Sequence, residues 1–142
     1  MNYYPIHETF ESGLEIRSVT EIELKNFIDN TDTYEASDFE LLHSLYFHET
    51  TLGAFLNGIL VGVLNYKIIN QGINIEILVI DPKKRQIGIA KAFVNFLKNF
   101  DVQYITANPF TDDIEEIFIK MGFIVDTEFD PKDTNTVVLP IK

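Results

Sequence analysis

The chain contains no cysteine in its 142 residues. That single absence excludes disulfides, thiolate metal sites and a cysteine nucleophile. It also has no apolar run approaching the ~18 residues of a membrane span, because Asn, Lys and Gly interrupt every long candidate. The opening Met1-Asn2-Tyr3-Tyr4-Pro5 lacks the charged-then-apolar pattern of a secretory leader. A cytoplasmic location with no membrane partner is therefore expected. Positive charge is scarce as well. The formal net charge is −11, which argues against nucleic acid as a main partner, since phosphate backbones demand a basic face. Three phosphate or nucleophile signatures are absent too: Gly-x-Gly-x-x-Gly, Gly-x-x-x-x-Gly-Lys-Ser/Thr and Gly-x-Ser-x-Gly. A dinucleotide Rossmann loop, a Walker loop and a nucleophile elbow are thereby excluded.

What remains is ordinary in bulk composition and uneven in its charge. Hydrophobic residues make up 46% and charged residues 23%, the balance of a folded domain rather than a disordered chain. The length fits one domain over residues 1–142. From Pro82 to Phe100 there is no acid, yet Lys83, Lys84, Arg85, Lys91 and Lys98 occur there. From Thr20 to Thr50 the balance reverses, with Glu21, Glu23, Asp29, Asp32, Glu35, Asp38, Glu40 and Glu49 against Lys25 alone. One region is suited to an anion and the other to a cation, although acidic stretches also serve as solvated helix faces.

Periodicity orders the elements. Leu14–Val19 alternates as a first strand. Thr20 and Glu23 form a capping box for a helix carrying Leu24, Phe27 and Ile28 on its apolar stripe. Ser37 and Glu40 repeat that pattern for a second helix bearing Phe39, Leu42, Leu45 and Tyr46. Thr51–Leu56 and Ile59–Ile69 read as strands joined at Asn57-Gly58, the strongest short hairpin signal. After Asn70-Gln71-Gly72, the run Ile73–Ile80 is apolar enough for burial on both faces, and Pro82 stops it. A helix is expected from about Gly88 to Asn99, a strand over Val102–Ala107, and a helix Asp112–Met121 capped by Thr111 and Gly122. Phe123–Glu128 and Thr136–Ile141 close the chain as strands. The order β-α-α-β-β-β-α-β-α-β-β predicts an α/β (α+β) fold with a mixed, mostly antiparallel sheet, about four helices and one βαβ crossover. An exposed last strand offers an edge to a second copy, so a homodimer is compatible with this pattern.

The segment Leu78 to Ala90 carries the chemistry. A buried strand ends at Pro82, three bases follow, and Gly88 and Ala90 occupy the first turn of a helix. A helix N-terminus presents unbonded N–H groups and about half a positive charge. Small residues let a ligand approach that backbone. The combination suits a phosphate or diphosphate. The plain alternative is a strand–loop–helix connection with incidental lysines. Glu76 is the only acid within the central strand and, by period-two counting, shares a face with Leu78 and Ile80. There it could accept a proton directly or through water. His43 and His48 stand five apart and diverge on a helix, so no metal site is expected.

Arg85-x-x-Gly88-x-Ala90 resembles the Arg/Gln-x-x-Gly-x-Gly/Ala signature of the GNAT acetyltransferase superfamily, and Leu78-x-Ile80 with Pro82 resembles its strand-to-loop approach. Ile117-Phe118-Ile119-Lys120-Met121-Gly122-Phe123 is similar to the family's Leu-Tyr-Glu-Lys-Leu-Gly-Phe. The resemblance implies a single GNAT-like domain that moves an acetyl group directly from acetyl-CoA, as co-substrate, to an amine. It implies that the backbone N–H groups from Gln86 through Ile87, Gly88, Ile89 and Ala90 to Lys91 hold the CoA diphosphate, with Arg85 also in the cofactor-binding loop. Leu78, Val79 and Ile80 would lie along the pantetheine arm, with the Ile80 N–H polarising the thioester carbonyl. The family's usual Asn at the next helix start corresponds to Thr111, with Asn108 close by. Its frequent general acid, a tyrosine, corresponds to Phe118, which cannot donate a proton. Tyr46, Tyr66 and Tyr104 stay open as substitutes. Loss of the tyrosine also leaves a catalytically degenerate CoA-binding module as the alternative. The first two helices border the acceptor cleft in the family, so the acidic excess there points to a cationic acceptor: an amine, polyamine or basic peptide terminus.

Overall fold

The computed structural model describes residues 7–9, 13–30, 51–84, 88–108, 112–125 and 136–141. Strands β1 (His7–Thr9) and β2 (Leu14–Ser18) precede helix α1 (Glu21–Asn30). The meander β3 (Thr51–Leu56), β4 (Ile59–Ile69) and β5 (Gly72–Ile80) leads through a 3-10 turn at Pro82–Lys84 to α2 (Ile89–Leu97). Strand β6 (Tyr104–Ala107), α3 (Asp112–Lys120), β7 (Ile124–Val125) and β8 (Val137–Pro140) complete the order. The sheet runs β1-β2-β3-β4-β5-β6-β8-β7, and its one parallel pair is β5 with β6. This is the mixed, mostly antiparallel sheet that the element order predicts. The short strand β1 is an addition; the predicted helix from Ser37 lies outside the described residues.

Local chemistry accounts for the meander. Asn57 and Gly58 both take positive φ, 52° and 86°, as a two-residue hairpin turn requires. At the head of α1 the capping box forms as read. The Glu23 N–H donates to Thr20 Oγ1 at 3.2 Å, and the Thr20 N–H donates back to Glu23 Oε1 at 3.0 Å. Arg17 then clamps the same carboxylate through both guanidinium arms, at 3.2 and 2.8 Å, and stacks over the Phe55 ring at 3.6 Å. These contacts fix α1 to the face of β2 and β3.

Two cores sandwich the sheet. On one face Leu14, Ile16, Leu52, Leu64, Ile73 and Ile75 pack beneath Ile89, Phe93, Phe96 and Leu97 of α2, and Phe118 of α3 joins them. Each such buried side chain contributes about 1.5–3 kcal/mol. On the other face Leu24 and Phe27 of α1 cover Val63, Ile77 and Val79. Strand β5 is thus buried from both sides, as its apolar run predicts. Gly62 sets how close α2 comes: a β-carbon there would stand 3.1 Å from Ile89 Cγ2 and 3.4 Å from Phe93. The missing side chain lets the first turn of α2 settle against β4, beside the end of β5.

Candidate active site

A defect in the central strand builds the site. Asn65 pairs with Ile77 and Tyr66 with Ile75, so Glu76 is an extra residue in β5. Such a bulge bends its strand and breaks period-two alternation. Beyond it Leu78 and Ile80 pack with the α2 core, whereas Ile77 and Val79 lie in the α1 core. Glu76 accepts a hydrogen bond from Asn74, two residues back, at 2.8 Å. Asn74 alternates with Ile73 and Ile75 of the α2 core, so Glu76 stands on the α1 side. The period-two count that placed Glu76 with Leu78 and Ile80 is corrected: the bulge sends them to opposite faces.

The pairing of β5 with β6 ends next to the bulge. Strand β6 pairs with β5 only from Gly72 to Ile75, ending at Ala107. Past that point no described residue pairs with β5 on its β6 side, so the edge from Glu76 to Ile80, the wedge, has no strand partner among the described residues. The Asp81 N–H donates to the Val61 carbonyl of β4 at 2.9 Å. Successive strand amides point to opposite sides. The N–H groups of Leu78 and Ile80 therefore turn away from β4, toward the wedge, while the Val79 side chain stays in the α1 core.

One wall of the wedge ends in a helix start. Asp81 accepts from the Lys83 N–H at its side chain (3.0 Å) and from the Lys84 N–H at its carbonyl (2.8 Å), which closes the 3-10 turn. Arg85, Gln86 and Ile87 lie outside the described residues, as does Thr111. Gly88 caps α2 in the left-handed region, φ 83° and ψ 22°, with no side-chain cap bond. The first intrahelical donor is Ala92, bonded to the Gly88 carbonyl at 3.0 Å. The helix itself supplies no acceptor for the N–H groups of Ile89, Ala90 and Lys91. Gly88 is exposed, and a β-carbon on it would meet no atom within 4 Å. Lys83 and Lys91 are exposed.

At the apex, Asn108 follows β6 and accepts the Thr136 hydroxyl at 3.1 Å. A cavity of about 260 Å³ on the α1 side runs from Asn70 and Gly72 past Asn74 and Thr106 to Asn108 and Thr136. Gly72 shapes its far end: a β-carbon there would sit 2.1 Å from the Tyr104 ring. Tyr104 is thus at the end of β6 remote from the wedge, and Tyr66 is buried edge-on to Phe100 at 5.4 Å. Tyr46, His43 and His48 lie outside the described residues. Phe118 is only 2% exposed, with its ring 5.0 Å from Phe123 in edge contact. Sequence reasoning missed Asn74, Thr106 and Thr136; polar residues spaced two apart in otherwise apolar strands were the available signal.

No protein-family model matches the chain, and no curated protein does. Solved structures do. The GNAT family N-acetyltransferase YhbS of Escherichia coli, in complex with CoA, aligns over 96% of this chain and 86% of its own at TM-score 0.67 and 17% identity. The fold is the GNAT fold. The PaiA N-acetyltransferase of Thermoplasma acidophilum, in complex with coenzyme A, aligns over 91% of this chain and 98% of its own (TM-score 0.65, 18% identity). The Bacillus subtilis N-acetyltransferase YlbP, also with coenzyme A, covers 89% and 95% (TM-score 0.63, 19% identity). With identities this low, the shared feature is the fold alone.

Proposed function

We propose that the chain is an N-acetyltransferase that passes an acetyl group directly from acetyl-CoA to an amine. The observation that carries this reading is the wedge after Ile75, where the N–H groups of Leu78 and Ile80 line one wall and the exposed start of α2 closes it. Amides at Gly88, Ile89, Ala90 and Lys91, joined by those of Arg85, Gln86 and Ile87, hold the diphosphate. Lys83 and Lys91 add attraction at longer range. The pantetheine arm extends the sheet at Leu78, and the Ile80 N–H polarises the thioester carbonyl. Coenzyme A in the neighbouring structures of the same fold supports the choice of co-substrate.

The acceptor nitrogen arrives from the α1 side, where Glu76 stands. An ammonium near its ordinary pKa of about 10.4 must first lose a proton, which passes to the Glu76 carboxylate directly or through water. The freed nitrogen attacks the carbonyl carbon, a C–N bond forms, the C–S bond breaks, and the nitrogen releases its second proton to solvent. The leaving thiolate takes its proton from solvent, because Phe118 has none to give; Asn108 and Thr111 are assigned to cofactor binding by the family resemblance. A thiol titrating near about 8.5 makes that step feasible. The acidic stretch that begins with Glu21 and Glu23 selects a cationic acceptor.

Calorimetric titration with acetyl-CoA tests the binding step, and thiol release with a panel of amines tests turnover. Glu76→Gln should lower turnover with acetyl-CoA affinity unchanged; equal turnover across pH removes the base. Phe118, buried where the family's tyrosine stands, favours the second reading, a CoA-binding module without catalysis. Tight binding with no turnover on any amine selects it. Neutral amines acetylated as fast as polyamines at low salt overturn the charge argument.

A further inference from the structure

A line of hydrogen bonds ends on Glu76, and it begins in a buried hydroxyl. Thr106 is 5% exposed. Its Oγ1 lies 2.7 Å from Asn74 Oδ1 and 3.4 Å from the Ile73 carbonyl. A hydroxyl has one proton to donate, and the shorter contact takes it. That donation decides which way the Asn74 amide faces. With Oδ1 held by Thr106, the amide nitrogen is turned outward and donates to Glu76 Oε2 at 2.8 Å. The reverse orientation would set an amide oxygen against a carboxylate oxygen, acceptor against acceptor. The three residues thus fix one another's polarity, and the anchor is on β6, the strand from which β5 departs.

The bulge makes this support necessary. Glu76 is the unpaired extra residue of β5 and is exposed, so its strand neighbours hold its side chain loosely. We infer that Asn74 and Thr106 are positioning residues for Glu76: they pin Oε2 and leave Oε1 aimed at the acceptor side of the wedge. This inference rests on the reading of Glu76 as the base. The two can fail separately. A proton-accepting carboxylate works through a lone pair at a set place, so freeing the side chain slows the chemical step more than it weakens substrate binding.

The experiment measures steady-state acetylation by the full chain with Asn74→Ala, Thr106→Val and Thr106→Ser, alone and with Glu76→Gln. Thr106→Val keeps the shape of the buried side chain and loses the hydroxyl; Thr106→Ser keeps the hydroxyl. We expect kcat to fall about tenfold in Asn74→Ala and Thr106→Val, with both KM values within about twofold. Thr106→Ser should return kcat most of the way. Neither loss should add to that of Glu76→Gln, since all three act through one carboxylate. If Glu76→Gln is slow but Asn74→Ala and Thr106→Val turn over like the parent, the positioning inference is wrong and the base reading stands. If Glu76→Gln itself is unimpaired, the base reading falls first. A Thr106→Val loss that Thr106→Ser does not restore, or one that appears in KM, marks a packing effect and also overturns the inference.

Discussion

Two glycines provide a matched pair for testing the anion site. Gly88 has φ 83° and Gly58 has φ 86°, and at both an added β-carbon would meet nothing within 4 Å. Alanine therefore causes no clash at either position. Its cost is confined to the left-handed backbone, about 1 kcal/mol, arising from the β-carbon against its own carbonyl. For a chain of this size that lowers Tm by about 3–5 °C. The two variants should lose this amount equally, because the perturbation to folding is the same. They should differ in ligand binding. Gly58 turns the β3–β4 hairpin, whereas Gly88 stands at the start of α2, where the proposed diphosphate comes within hydrogen-bond distance of the backbone. A methyl group there keeps the phosphate oxygens from the amides. We expect Gly88→Ala to raise the Kd for acetyl-CoA at least about tenfold, a loss of ~1.4 kcal/mol. Gly58→Ala should leave it unchanged, and Gly88→Glu, which adds a like charge, should abolish binding. Differential scanning calorimetry gives the first quantity and isothermal titration the second. Equal affinities for Gly88→Ala and Gly58→Ala would refute the placement of the diphosphate on these amides.

Two further predictions concern the scaffold. Gly53→Ala should destabilise by about 1–3 kcal/mol, read as a lower denaturant midpoint at unchanged slope, because its β-carbon would stand 2.5 Å from Val19 Cγ2 and 2.8 Å from both Leu60 and Phe55. The Arg17 guanidinium, with help from Thr20, holds the Glu23 carboxyl at about 2 rather than 4.5. A folded-state pKa below the unfolded one stabilises fully above about pH 4.5, and the gain fades as pH falls toward about 2. Both side chains are about one-third exposed, at 32% and 30%, so solvent screening holds the pair to roughly 0.5–1 kcal/mol. Chemical denaturation of the parent and Glu23→Gln should show that gap at neutral pH and its closure in acid; a gap independent of pH would exclude the ion pair as its source.

The elements were legible where local chemistry decides them. Thr20 with Glu23, Asn57 with Gly58, and the apolar run into Pro82 each mark a boundary through interactions spanning a few residues, and the structure places the boundaries there. The helix start at Gly88 belongs to the same class, although the structure makes Gly88 the left-handed N-cap rather than part of the first turn. The strand β1 was not legible: three residues carry no periodicity, and pairing with β2 alone makes them a strand.

The face on which Glu76 stands was decided in three dimensions. An alternating pattern is read from a strand as though it were regular, and no residue near Glu76 announces a bulge. The bulge arises because Asn65 registers with Ile77 and Tyr66 with Ile75 at once, a condition set by β4 and by the cores on either side. The same holds for the Thr106–Asn74–Glu76 line, whose members meet only because β6 lies beside β5 before the sheet opens. By itself, the sequence determined the order of the described elements from β2 onward, the capping box of α1 and the Asn57-Gly58 turn, because those follow from short-range sterics and hydrogen bonding. Only the tertiary structure decided where β5 loses its β6 partner and on which face of the sheet Glu76 stands, because register is a property of strands that are distant in the chain.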